Sequence, residues 1–257
     1  MIRRLTQAPL KLALLLSILS TATSSAGVRH FTYVYEAVTS PPGSVDLENW
    51  VTWRTHPPGN PDLDQVDFRH ELEFGVTENF QMAVYLADWN YRDGDSTNRG
   101  GLSYADSAVE LIYNMSNPVI DPLGLSIYQE YKIGDRLFEW ESKVIAQKNF
   151  GPLILAYNAT VEAAWAGTDL REREGEIAQA LGASYEISPR FSAGLELVHE
   201  IILPEWRTAD SATNFFIGPN LSVRHRSAFI TITALAQPTR SAAEPDFQMR
   251  TIFGIAF

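Results

Sequence analysis

The chain has 257 residues, 45% of them hydrophobic, with 31 acids against 20 bases, a formal net charge of −11 and no cysteine. The missing thiols exclude disulfides, thiolate metal sites and lipid attachment at a cleavage-site Cys. An acidic chain without a run of Lys or Arg also argues against nucleic acid as a partner.

The first elements in chain order belong to export rather than to the fold. Arg3, Arg4 and Lys11 precede and border the apolar run "LALLLSILS", and small residues "TATSSAG" close the segment. That three-part plan is a secretory signal peptide, residues 1–26, with cleavage expected after Ala26; a retained membrane anchor is the alternative. Removal leaves 231 residues and takes away three positive charges and no negative one, so the net charge moves to −14. With no disulfide to staple it, the exported chain must hold itself by burial or by the closed ladder of a barrel. No linker or repeat divides it, so one domain is expected. Residues 27–44, which include "HFTYVYEAVTSPPGS", precede the first strand as a periplasmic or inward-tucked lead.

From residue 45 the pattern is monotonous: segments of about ten residues with period-two hydrophobicity, split by turns. In "VDFRHELEFGV", Val66, Phe68, Leu72, Phe74 and Val76 share one face, and Asp67, Arg69, Glu71 and Glu73 share the other. A helix would smear both sets around its circumference. About twelve such segments are expected: 45–55, 64–76, 80–91, 104–114, 123–133, 137–148, 153–166, 174–187, 191–203, 213–224, 227–237 and 246–257. The connections "TEN", "FGP", "SPR" and "HRS" are tight, whereas those between them are usually longer and more polar. "GDR" (short) and "SNPVIDP" (long) break that alternation. The last segment, "FQMRTIFGIAF", carries Phe253, Ile255 and Phe257 at alternating positions up to its final residue.

These features resemble a Gram-negative outer-membrane β-barrel, over nearly the whole mature chain. The resemblance implies an all-β fold, a transmembrane antiparallel up-and-down β-barrel of about twelve strands over residues 45–257, in contact with outer-membrane lipid. It also implies that Phe253, Ile255 and Phe257 form the assembly signal read by the barrel-assembly machinery. The opening "YEAVTSPPGSVDLENWVTW" resembles the start of poorly characterised barrels assigned as candidate transporters.

Aromatics separate the two faces. Phe74, Phe80, Tyr113, Tyr185, Phe191 and Phe257 lie near the tight-turn ends of the apolar face, and Trp53, Trp140 and Trp165 near the opposite ends. Two aromatic rims flanking an aliphatic band match interfacial girdles in lipid; a soluble sandwich would scatter its aromatics through a core. The polar face then lines the lumen, with Asp67, Arg69, Glu71, Glu73, Glu110, Glu130, Lys132, Glu139, Glu141, Lys143, Glu162, Glu176, Glu196 and Arg250 as candidate pore residues. With Asp46, Glu48, Arg54, Asp106, Glu174, Glu200 and Arg224, that face carries fifteen acids against six bases. Unpaired carboxylates would attract cations, so the expected function is a passive, weakly cation-favouring pore for small solutes. The rival reading is a structural barrel whose lumen is closed by its own charge network.

Enzymatic readings are weaker. Twelve-strand outer-membrane phospholipases keep a His-x-Ser pair and an Asn on the lipid face; His225 and Ser227 have that spacing but fall at a tight turn. His70 falls on the apolar face with Asn49 one strand away, and no serine follows it by two. No Gly-x-Ser-x-Gly motif occurs, so no catalytic residue is assigned. The five histidines have no metal-ligand spacing, and neither a metal nor a cofactor is expected. "DGDSTN" (Asp93 to Asn98) spaces oxygen ligands like a calcium loop but lacks its closing Glu; a solvated loop is expected.

Overall fold

The computed structural model describes residues 29–94, 101–241 and 244–257. The export signal at 1–26 and the Asp95–Asn98 part of the candidate calcium loop lie outside the described residues.

Among the described residues thirteen strands form: β1 (Val45–Thr55), β2 (Asp64–Thr77), β3 (Phe80–Asp93), β4 (Gly101–Tyr104), β5 (Asp106–Ser116), β6 (Gly124–Gly134) and β7 (Leu137–Phe150), then β8 (Leu153–Ala166), β9 (Glu172–Ser188), β10 (Phe191–Pro204), β11 (Ala212–His225), β12 (Ala228–Ala236) and β13 (Phe247–Ala256). Sequence neighbours pair antiparallel except β4 with β5, and β1 pairs with both β2 and β13. The sheet therefore closes on itself. Both β4 and β5 pair with β3 and act as one strand interrupted at Ala105, whose N–H donates to the Asp88 carbonyl (2.8 Å). The ring has twelve members, an all-β up-and-down barrel.

Alternation decides which way each side chain points, because successive Cβ atoms of a strand leave on opposite faces. Glu71, Glu73 and Glu110 are buried inside, whereas Leu86, Val109, Ile127, Val144, Leu181 and Leu195 are exposed outside. One irregularity resets the parity. His70 stands opposite Ala87 and Glu71 opposite Tyr85, so β3 bulges at Leu86. Beyond the bulge Trp89 and Tyr91 are exposed, and Asp88 turns inward to reach Arg69. A one-residue slip inverts every later side chain, which is why the bulge matters for the charge inventory.

Two-residue connections join β2–β3, β7–β8, β9–β10 and β11–β12 at one end of the barrel; residues 117–123 form a longer one there. We call this the turn end; both β1 and β13 also have a terminus on it. The loop end holds residues 56–63, 167–171, 205–211 and 237–246, with the short 135–136 as its exception. Aromatic rings meet near the loop end: Trp53 on Phe247 (5.8 Å between centroids), Trp89 on Tyr104 (5.7 Å), and Trp165 between Phe138 (5.5 Å) and Trp206 (5.1 Å). At the turn end Phe253, Ile255 and Phe257 are exposed on the outer face, and the Phe257 N–H donates to the Val45 carbonyl (2.9 Å).

The inner face departs from the expectation of a purely polar lining. Trp50, Ile112, Tyr128, Ile145, Phe229 and Ile252 point inward and cluster with Tyr35 and Ala37. Ile154, Ala180, Val198, Phe216 and Leu235 do the same around Phe31 and Val34. A lumen holding only water would gain nothing from such residues; they bury a segment of the chain itself.

Candidate functional site

Residues 29–44 form that segment, and it lies inside the barrel. It starts against the turn end of β9–β11, where Ser222 Oγ donates to the Arg29 carbonyl (2.9 Å) and His30 faces Glu186. It rises along the lumen to Tyr33 and Tyr35, then descends to Ser40, beside the turn end of β1–β3, where its N–H meets Gln81. Gly75 of β2 lets it pass, since a Cβ there would sit 2.0 Å from the Pro41 carbonyl oxygen.

Irregular backbone in a closed interior needs partners for its polar groups. Wall side chains on eight strands supply them. Glu196 on β10 accepts the N–H groups of Thr32 (2.9 Å), Tyr33 (2.6 Å) and Val34 (3.1 Å), and also Asn220 Nδ2 (3.1 Å) and the Thr233 hydroxyl. Asn158 on β8 accepts the Tyr35 N–H (2.6 Å) and returns a bond to its carbonyl (2.9 Å), imitating a strand neighbour. Gln147 accepts the Ala37 N–H (2.7 Å), Asn114 donates to the Ala37 carbonyl (2.6 Å), Gln81 accepts the Ser40 N–H (2.8 Å), and Asn220 donates to the His30 carbonyl (3.1 Å). Alternation of apolar and charged residues does not single out these amides. Their signal was Asn or Gln on the inward parity of β3, β5, β7, β8 and β11, where hydration alone would not favour amides over other polar residues.

The lead also absorbs charge. Arg29 pairs with Glu48 (2.7 Å) and lies 3.7 Å from both Glu71 and Glu73, while the Ser40 hydroxyl donates to Glu73. Glu110 accepts the hydroxyls of Tyr85 (2.6 Å) and Tyr35 (3.1 Å). Glu71, Glu73, Glu110 and Glu196 therefore face the lumen, as their parity requires, but lie beneath the lead rather than along an open passage. At the turn end His30 Nδ1 meets Glu36 (2.9 Å) and Nε2 meets Glu186 (3.4 Å), which Arg224 also holds (3.1 Å). Burial disfavours the imidazolium, but the two carboxylates outweigh it and hold the His30 pKa above its ordinary 6.5.

Above the lead, toward the loop end, lies a cavity of about 480 Å³ with Tyr33 and Tyr35 among its lining residues. A smaller one of about 90 Å³ lies on the other side, and Tyr35 lines both. Most remaining candidate residues sit in or beside the larger cavity. Arg69 pairs with Asp88 (2.7 Å) and Glu130 (3.2 Å). Lys132 holds Glu130 (3.3 Å) and Glu139. Lys143 pairs with Glu141 (2.9 Å) and stands over the rings of Tyr35 and Tyr128, 4.2 Å from each centroid. Asp67 pairs with Arg54 at the loop end of β1 and β2. Arg250 donates to Thr52 (3.0 Å) and to the Thr32 carbonyl (3.3 Å), stacked 4.0 Å over Tyr33. Among the described residues Glu162 and Glu176 have no ion-pair partner.

Register brings five of the acids into one row. Glu110, Glu130, Glu141, Glu162 and Glu176 are direct cross-strand partners in sequence from β5 to β9. Like charges directly opposite are destabilising, so this row opposes folding wherever Arg69, Lys132 and Lys143 do not offset it.

No curated protein matches this chain. Among solved structures, the fold is similar to the COG4313 outer membrane channel from Pseudomonas putida F1 (TM-score 0.60, 12% identity, 88% of this chain and 100% of that one). It is also similar to the NanC porin (TM-score 0.53, 10% identity, 83% of this chain and 98% of that one). At these identities the likeness concerns the fold. The family model that matches, over residues 23–240, is described as a family of unknown function, and the chain belongs to that family, DUF6662.

Proposed function

We propose that the protein is an outer-membrane pore for small solutes, passive and weakly cation-favouring, with residues 29–44 as its internal plug. The observation that carries this is the charged cavity of about 480 Å³, which reaches Pro57, Leu63 and Pro245 at the loop end and is floored by a segment that is not part of the wall. Residues 29–40 of the plug are held by wall side chains, and only Gly43 and Ser44 bond to the backbone of β2, so the plug above them can be displaced without breaking a ladder bond of the barrel. Membrane placement is supported by the apolar exposed outer face with its aromatic rims, since a spanning sheet must close to satisfy its backbone in lipid. Two structures of similar fold are named as an outer-membrane channel and a porin. Cation preference is supported by Glu162 and Glu176, inward-facing acids with no ion-pair partner among the described residues.

A second reading, a structural barrel with a closed lumen, is favoured by the density of bonds fastening the lead. Planar-bilayer recording separates the two. Steady currents with a reversal potential on the cation side support the pore, and Glu176→Gln moves that potential toward zero; a silent bilayer containing folded barrel supports the structural reading. Lipid hydrolysis finds little support: His70 meets Asn49 (2.8 Å) on the outer face but Leu72 follows it by two, and His225 and Ser227 flank the turn between β11 and β12.

A further inference from the structure

We infer that the outer wall around β9 and β10 pairs with the same wall of a second copy of this chain, forming a twofold dimer within the membrane. The inference rests on the membrane placement argued above and not on conduction.

A wall in lipid should carry apolar side chains, because acyl chains neither donate nor accept hydrogen bonds. From β6 to β10 this wall departs from that rule on every strand: Gln129, Ser142, Tyr157, Gln179 and His199 all take the outward parity. Part of this belt closes on itself. Trp140 Nε1 donates to Gln129 Oε1 (2.8 Å), Gln129 Nε2 donates to the Ser142 hydroxyl (2.6 Å), and the Tyr157 hydroxyl donates to Gln179 Oε1 (2.9 Å). Two groups are left over. The Gln179 amide nitrogen and the His199 ring have no hydrogen-bond partner among the described residues. They stand directly opposite each other, inside β9 and β10 rather than at the strand ends. Elsewhere on the outer wall His70 is bonded to Asn49 (2.8 Å), and β11 and β12 present Ile217, Leu221, Ile230 and Ile232.

The relief of the wall points the same way. Hollows of about 380 and 560 Å³ open outward there, and Tyr157 and Gln179 line both. His199 and Leu197 belong to the first, Trp140 and Val161 to the second. Fixed side chains fill such relief more closely than mobile acyl chains do, and close packing with interfacial hydrogen bonds drives association in lipid.

Symmetry makes a second copy the fitting occupant. Two barrels in one membrane keep their turn ends on the same side, so the twofold axis relating them runs along the membrane normal. Rotation about that axis changes no residue's depth, and a group near it meets its own counterpart at the same level. Gln179 and His199 suit that arrangement because each carries donor and acceptor: the amide has two N–H bonds and a carbonyl, and a neutral imidazole has one N–H and one bare nitrogen. Two copies thus satisfy each other, whereas an unrelated barrel would need matching groups at that depth. The belt contains no Asp, Glu, Lys or Arg, so like charges do not oppose the contact.

The chain has no cysteine, so one introduced thiol takes a spin label at a chosen place. The mature barrel is labelled at Leu195→Cys on the outer face of β10, or at Leu72→Cys on β2 across the ring, and folded into phosphatidylethanolamine/phosphatidylglycerol vesicles at several protein-to-lipid ratios. Pulsed electron resonance should give a defined distance between copies for Leu195→Cys, with a modulation depth that holds as lipid is added, and a longer distance for Leu72→Cys. Adding Gln179→Leu and His199→Leu to Leu195→Cys should raise the dissociation constant of the dimer about tenfold or more, since each copy then loses both bare groups; heat-shifted gel mobility confirms folding. Equal distances from both labels, or a double leucine variant that dimerises like its parent, overturns the inference. Vesicle flotation keeps the two readings apart. A folded chain left in the aqueous fraction rejects the membrane placement and the dimer with it; a barrel that floats but stays monomeric, its hollows filled by lipid, rejects the dimer alone.

Discussion

Replacing Glu196 by alanine should release the plug while leaving the barrel standing. The carboxylate is fully buried and accepts three consecutive N–H groups of the lead, Thr32, Tyr33 and Val34, at 2.6–3.1 Å. Each N–H left in the lumen without an acceptor costs about 1–3 kcal/mol, so three cost about 3–9 kcal/mol, and water entering the vacated space favours the lower end. Even about 3 kcal/mol moves the docked-to-released ratio more than a hundredfold. The wall loses only the side-chain bonds from Asn220 and Thr233, because β9, β10 and β11 pair through their backbones and the Glu196 side chain takes no part in the ladder. Amide hydrogen exchange across residues 31–37 should accelerate by that factor, while exchange within β9–β11 and gel mobility on heating stay as they were. In planar bilayers, conductance should approach that of a chain lacking residues 29–40. If residues 31–37 remain as protected in Glu196→Ala as in the parent, the carboxylate is not the anchor and the plug argument fails.

Three further outcomes follow from the same geometry. Tyr35→Ala removes the ring that lines both cavities together with its hydroxyl contacts to Glu110 and Tyr85, so single-channel conductance should rise; an unchanged conductance would place the constriction elsewhere. Gly182→Ala puts a Cβ 2.6 Å from the Phe31 ring, and overpacking of this kind costs about 1–3 kcal/mol, so the lead should lose protection; the same substitution in a chain without residues 29–40 should be silent, and a matching loss of barrel stability there would refute the contact. His30 titrates the latch at the turn end. Its pKa is raised when docked, so its contribution is complete below about 6.5 and disappears as pH rises through the elevated value. Lead protection should therefore fall on the alkaline side, and His30→Gln should flatten the dependence; a parent profile as flat as the variant's would remove His30 from the latch.

The alternation in β2 and β13 determined strand positions, the inward set of charges and the need for closure. Leu72 and Glu73 can be sorted by eye because strand parity is a local, two-state property, written in each pair of neighbours. Turn chemistry between strands is local too, and the strand ends expected from it hold to within a few residues. What the sequence could not place was the lead. Residues 29–44 have no period, and their position depends on partners as remote as Glu196, 164 residues from Thr32. Trp50, Tyr128 and Phe216 read as exceptions to a polar parity until Tyr35 and Phe31 lie against them. The bulge at Leu86, which brings Asp88 to Arg69, is likewise a choice of pairing between two strands rather than a feature of either alone. Which acids are neutralised, and which still face the cavity, follows from cross-strand register and from the threaded lead, so only the assembled barrel fixed it.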